Sequence, residues 1–327
     1  MFFNGNNILA LAGKAIVLGK WIFTGQPTSA AIDITHRCNL KCRHCYFWRE
    51  EHSGELSDVE MTSMMKSLKA RGLRAVIIYG GEPTLRPGIC HAACEIFDAC
   101  LIFTNGTNGF PYLNRGKWIV SLDGPEKVND EIRGDGVYTR AISGIKSAKR
   151  PPIVHMTISR LNMKFLDHFV REMMELPIEG IGFSFFTPSL DGDDSVCALS
   201  LEERDLLVLE LLDLRRRFGP RVGITAAMAR QFLAEGDFFA WNQKEMCPVS
   251  KRVLCFGPEG RRKMCTYGDR ADCSRCGCAA VAAYRGAFFP FDFRTLLLIF
   301  GLMGLPGKRL LWPFLKTESV KPIKRTE

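Results

Sequence analysis

Between Asp33 and Tyr46 the sequence reads Asp-Ile-Thr-His-Arg-Cys-Asn-Leu-Lys-Cys-Arg-His-Cys-Tyr. This stretch constrains the fold more than any other. Cys38, Cys42 and Cys45 stand at C-x3-C-x2-C spacing directly after a short apolar strand, Ala30 to Thr35. Three thiolates on a loop leaving a strand can hold three irons of a cubic four-iron cluster, with the fourth iron open to another ligand. A zinc loop competes with this reading, but zinc sites more often combine two C-x2-C pairs or recruit His at other spacings.

A second apolar strand, Ala75 to Tyr79, ends in Gly80-Gly81-Glu82-Pro83. The pairing of C-x3-C-x2-C with a downstream GGEP, each after a strand, resembles the radical S-adenosylmethionine (radical SAM) superfamily. The resemblance implies that Cys38, Cys42 and Cys45 bind a [4Fe-4S] cluster whose open iron is chelated by the amino and carboxylate groups of SAM. It further implies that one electron reaches the sulfonium, that a 5′-deoxyadenosyl radical forms, and that this radical takes hydrogen from a substrate. The electron would come from a one-electron reductant such as flavodoxin or ferredoxin.

The same resemblance distributes the SAM contacts. His44 holds the ring-bearing position before the last cysteine, expected against adenine. Gly80 and Gly81 let backbone pass close to the ligand, which a Cβ would obstruct. Glu82 offers a carboxylate near the methionyl ammonium. Ser121-Leu-Asp123-Gly resembles the fourth-strand motif that meets the ribose hydroxyls, with Ser121 and Asp123 projecting to one side of the strand. Arg133 is a candidate partner for the methionine carboxylate, and Asn105 and Asn162 are weaker candidates. No catalytic acid or base stands out; Tyr79, Tyr138, Tyr267 and Cys255 are hydrogen donors by chemistry alone.

The chain then alternates. Further strands are expected at Cys100 to Thr104, Trp118 to Leu122, Ile153 to Ser159 and Ile181 to Phe186. Helices are expected near 89–99, 137–149, 163–176 and 201–218. Capping boxes open two helices, at Ser57 with Glu60 and at Ser200 with Glu203. Met61, Met64, Met65 and Leu68 recur at helical spacing and read as core packing. Strands each followed by a helix argue for a parallel sheet with right-handed crossovers. With the resemblance, the expected fold is α/β, a partial (β/α)6 barrel open on one side. Its polar motifs would sit at the C-terminal strand ends, where such barrels carry their chemistry.

A second cysteine group follows. Cys247, Gly260 and Cys265 make C-x12-G-x4-C, and Cys273, Cys276 and Cys278 make C-x2-C-x-C. The first pattern resembles the SPASM and twitch extensions of radical SAM enzymes, which bind auxiliary iron–sulfur clusters, and its glycine suits a hairpin turn. The second is compressed relative to a full SPASM module, so one auxiliary [4Fe-4S] cluster is expected, with zinc as the alternative. The expected ligands are Cys247, Cys265, Cys273 and Cys276, with Cys255 and Cys278 as substitutes. Cys90, Cys94, Cys100 and Cys197 read as small buried hydrophobes.

The expected domain plan is an amphipathic segment at 1–29, the barrel core at 30–235, the cysteine-rich module at 236–286 and an apolar, basic tail at 287–327. The net charge of +9 belongs to the end of the chain: residues 250–327 hold 15 Lys and Arg against 6 Asp and Glu, while 1–249 hold 29 of each. Nucleic acid is a poor fit, because the basic residues are not interleaved with stacking aromatics on a recognisable fold. The tail, with Trp312 and the basic Lys316, Lys321, Lys324 and Arg325, reads either as an interfacial anchor on an anionic membrane surface or as a cap on the open barrel. With no Lys or Arg before Lys14 and no clear cleavage site, a cytoplasmic protein is expected, peripheral at the inner membrane face where the anchor reading holds. The expected substrate is a peptide or protein, or a lipid-linked metabolite. The alternative function is an iron–sulfur or zinc protein without SAM catalysis.

Overall fold

The computed structural model describes residues 27–50, 54–190, 194–234, 247–288 and 291–302. Six strands lie side by side in chain order and run parallel: β1 (Ser29–Asp33), β2 (Ala75–Tyr79), β3 (Ala99–Thr104), β4 (Lys117–Ser121), β5 (Ile153–Ile158) and β6 (Gly180–Phe185). In β3 and β6 buried and half-buried residues alternate. One face of the sheet packs under helices; the other looks into an internal cavity. The sheet is not closed, so the expected partial barrel is the observed architecture.

The helices form where the periodicity places them, with boundaries moved by a few residues. The first, Asp58–Ala70, starts from a complete Ser57/Glu60 capping box, buries Met61, Met65 and Leu68, and is followed by Gly72 in the left-handed region at φ 98°. Leu201–Phe218 starts from the second capping box, at Ser200 and Glu203. Several helices escape sequence reading, Ala226–Arg230 and Ala279–Phe288 among them. Glu126–Arg133 carries only Val128 and Ile132 as an apolar pair one turn apart, too few to set a period.

The C-terminal quarter is built into the sheet. β7 (Val253–Phe256) adds parallel to the outer edge of β1, and β8 (Arg262–Lys263) returns antiparallel to β7. Gly260 turns the hairpin at φ 80°, a left-handed conformation that glycine adopts without strain. At the far edge, Gly223 N donates to Ile181 O and Phe185 N donates to Gly277 O. A Cβ on Gly277 would lie 1.9 Å from Phe185 O, so only glycine permits that approach. The segment 247–288 therefore grips both edges of the open sheet.

Helix Ala279–Phe288 packs on Ala226–Arg230, where a Cβ on Gly286 would meet Met228 N at 2.8 Å. Helix Phe293–Leu302 buries Leu296 and Leu297, and its Gly301 carbonyl accepts from Lys117 Nζ at 2.8 Å. The first part of the apolar tail thus packs against the molecule beside the start of β4. Residues 1–26 and 303–327, which include most of the amphipathic head and Trp312 with the terminal basic residues, lie outside the described residues. No helix of the described residues is long and apolar enough to cross a membrane.

Candidate active site

The inner face of the sheet encloses a cavity of about 840 Å³, within the range of small-molecule sites. Cys38, Cys42 and Cys45 line it from the loop after β1, Gly80, Gly81 and Glu82 from β2, and Asn105 from β3. Ser121 and His155 reach it from β4 and β5. Its apolar wall includes Ile77, Leu101, Phe103, Ile119 and Phe183. From the C-terminal quarter Cys247, Cys265, Cys273, Cys276 and Cys278 also line it. Cys255 is buried on β7 and off that wall.

Burial pushes the Cys42 thiol up to about 12; Arg133 pulls it back, and Cys45 and Cys38 add to the rise. Burial also raises Cys38 and Cys45. Three thiols whose ionisation burial opposes have Arg133 as a shared positive neighbour and call for more positive charge than it gives. A cationic iron–sulfur cluster supplies it, so the donor set fits that group. Among the described residues, no three His, Cys, Asp or Glu side chains close on a single-ion position.

The glycines dock the two loops. A Cβ on Gly80 would lie 2.5 Å from Thr35 O and one on Gly81 2.2 Å from Arg37 O. In return, Gly81 N donates to Thr35 O and Glu82 N to Arg37 O, at 2.8 and 2.9 Å. Their smallness therefore serves the seating of the β2 loop against the cysteine loop. Glu82 is buried. Its Oε1 accepts from Thr84 N, Thr84 Oγ1 and Thr104 Oγ1, and its Oε2 from Asn105 N alone. A carboxylate has about four acceptor positions, so Oε2 is the oxygen with capacity left for a ligand ammonium.

Asp123, Arg133 and His44 form one buried group. Asp123 Oδ2 lies 2.7 Å from Arg133 Nε and 3.4 Å from His44 Nε2, while Oδ1 accepts from Thr157 N. Burial lowers the His44 pKa to about 4, against the pull of Asp123, so the ring is neutral. For Arg133, burial disfavours the charge, but Asp123, Cys42 and Cys45 together outweigh it and the pKa rises. His44 and Arg133 are on the cavity wall, and Asp123 is behind it. Asp123, expected as a ligand contact, is fully buried and holds the two residues that line the cavity. Asn162 likewise braces the turn after β5, accepting from Ser159 N and donating to Thr157 O.

Sequence reasoning missed His155. It pairs in register with Ser121, and its Nε2 lies 3.1 Å from Ser184 Oγ, which also accepts from Ala279 N. Burial lowers its pKa from 6.5 to about 4, with Asp123 opposing and Arg133 adding. A histidine depressed in the folded state contributes stability that is present above the unfolded value and lost as pH falls toward the folded one. Between pH 6.5 and 4 the loss is on the order of 3 kcal/mol. We expect His155→Gln to flatten this part of the stability profile, read from urea midpoints of the metal-free protein. An unchanged acid slope would show that His155 is not the group responsible.

Residues 32–194, which hold the cysteine loop, the β2 loop and the Asp123 group, match the Radical SAM superfamily. This chain carries a radical SAM domain. Similar proteins include the pre-heme d1 synthase of Dinoroseobacter shibae, 30% identical over 172 residues, which are 46% of this chain and 41% of that protein. The sporulation killing factor maturation protein SkfB of Bacillus subtilis is 27% identical over 217 residues, 61% of this chain and 52% of that one. The chain spans about half the length of the curated relatives it matches. Among solved structures, Streptococcus suis SuiB bound to its precursor peptide SuiA superposes with a TM-score of 0.59 at 15% identity, covering 83% of this chain and 67% of that one. The last is a likeness of fold, and it extends beyond the radical SAM domain.

Proposed function

We propose that this protein is a radical SAM enzyme with an auxiliary metal centre, acting on a peptide. One observation carries the reading: the radical SAM cysteines and the C-terminal cysteines line one and the same cavity. When bound, the cluster and SAM supply a 5′-deoxyadenosyl radical that abstracts a substrate hydrogen. Cys38, Cys42 and Cys45 would hold the cluster. Glu82 Oε2 would accept from the methionyl ammonium, Arg133 would meet the carboxylate, and His44 and Ser121 would orient the nucleoside. The apolar wall excludes water and stray hydrogen donors. The relation to SkfB, a maturation protein, and the fold shared with peptide-bound SuiB support a peptide over a lipid-linked metabolite.

The C-terminal cysteines would form a SPASM- or twitch-like site for one auxiliary [4Fe-4S] cluster, and the electron for SAM cleavage would come from a reductant such as flavodoxin or ferredoxin. The four thiols best supported are Cys247, Cys265, Cys276 and Cys278. Cys276 and Cys278 feel Cys247 and Cys265 electrostatically, and Cys276 and Cys278 pack with Cys247 against Val249 and Val281. This reading exchanges Cys273 for Cys278. The amphipathic head and the basic tail of the sequence support a cytoplasmic enzyme held peripherally at an anionic membrane face. After anaerobic reconstitution we expect about eight irons per chain, SAM binding by calorimetry, and 5′-deoxyadenosine on reduction. About four irons together with one zinc would remove the auxiliary cluster, and failure to bind SAM would remove the enzyme reading.

A further inference from the structure

The two cysteine groups are joined by a direct contact. Tyr46 follows Cys45, and its Oη donates to the carbonyl of Thr266, the residue after Cys265, at 2.8 Å. The Tyr46 ring stacks on Tyr267 with centroids 4.0 Å apart and planes at 28°. The same Thr266 carbonyl accepts from Lys263 Nζ at 3.1 Å. Lys263 also pairs with Asp33 Oδ2 at 2.6 Å and lies 5.9 Å from the Phe47 ring centre. The strand end that launches the radical SAM loop and the far side of that loop are therefore both pinned to residues 263–267.

We propose that Tyr46 and Tyr267 are positioning residues that transmit metal occupancy of the C-terminal cysteines to the SAM-binding loop. The inference rests on the auxiliary-centre reading given above. Metal bound at Cys265 fixes the backbone on which Thr266 and Tyr267 sit. Tyr46 is held by both, one through its hydroxyl and the other through its ring, and Cys45 is its covalent neighbour. With the C-terminal site empty, residues 265–267 gain freedom, and the loop that must present three thiolates and His44 to the cavity loses its outer support. Neither tyrosine needs to touch the reacting atoms or exchange an electron. A hydroxyl donating to a carbonyl has no base to take its proton, which suits a clamp.

The test is a double-mutant cycle on SAM affinity, measured by calorimetry on reconstituted full-length protein. Cys265→Ala and Tyr267→Ala should each weaken SAM binding about fivefold or more, a typical size for coupled sites. The double variant should bind no worse than the poorer single variant, because both break one connection. Tyr267→Phe keeps the ring and should restore wild-type affinity. Additive losses, or a Tyr267→Ala variant with unchanged affinity, would overturn the coupling. A second measurement is independent of SAM. In the Cys38→Ala/Cys42→Ala/Cys45→Ala variant, amide exchange over residues 42–48 should slow when metal loads the C-terminal site, and Tyr267→Ala should abolish that slowing. Equal exchange with and without metal would refute the connection even where SAM binds normally. Failure of wild-type protein to bind SAM, with the metal-dependent slowing intact, would instead remove only the enzyme reading.

Discussion

Replacing Cys38, Cys42 and Cys45 together with alanine should abolish 5′-deoxyadenosine formation and remove about four irons per chain. The three residues lie on one cavity wall with Glu82 and Arg133, and no other described residue stands ready to replace them on that loop. A loss this complete is expected because the thiolates fix the only route by which an electron reaches the sulfonium in the proposed reaction. The remaining irons should stay, since Cys247, Cys265, Cys276 and Cys278 approach the cavity from a different part of the chain. Retention of cleavage in the triple variant would mean that the loop is not the radical-forming site. Loss of all iron would mean that the C-terminal group cannot hold a cluster by itself.

The second large effect is on stability. Asp123→Asn removes the counter-charge of Arg133, which is buried and 2.7 Å from the carboxylate. Deleting one partner of a buried pair typically costs about 3–5 kcal/mol, because the other charge is left uncompensated. We expect a loss of that order in the urea unfolding free energy of the metal-free protein. Asp123→Asn/Arg133→Met should recover part of it by removing the stranded charge. A loss below about 1 kcal/mol for the single variant would show that solvent or another group neutralises Arg133.

These two effects come from parts of the molecule that were unequally visible in the sequence. The cysteine spacing and the GGEP strand end are local patterns, and the loops they mark lie where the strand order places them. The capping boxes at Ser57 and Ser200 were equally legible, since each is completed within four residues. The Asp123, Arg133 and His44 group was not, because it joins a strand end, a helix terminus and the cysteine loop through tertiary contact. That the Asp123 carboxylate is turned to Arg133 and His44 shows only in the folded chain. β7 was also hidden. Its four residues, Val253 to Phe256, sit inside a cysteine-rich stretch and gain strand character only by pairing with β1, more than two hundred positions earlier. Gly277 looked like a spacer between cysteines; its lack of a side chain matters only beside Phe185.

The grip of residues 247–288 on both edges of the sheet also orders events in time. A chain emerging from the ribosome completes β1 through β6 while the outer edge of β1 and the upper edge of β6 remain bare. Unpaired strand edges invite pairing with other chains, and domains completed from the N-terminus fold as they appear. The first edge is covered only when β7 emerges; Val222 and Gly223 cover the start of the second, and its far end waits for Gly277. Residues 38–46 receive their support from 263–267 in the same interval. The radical SAM loop is thus among the earliest parts made and among the last to be held in place, so iron delivered before the final quarter is synthesised would meet a loop without its brace.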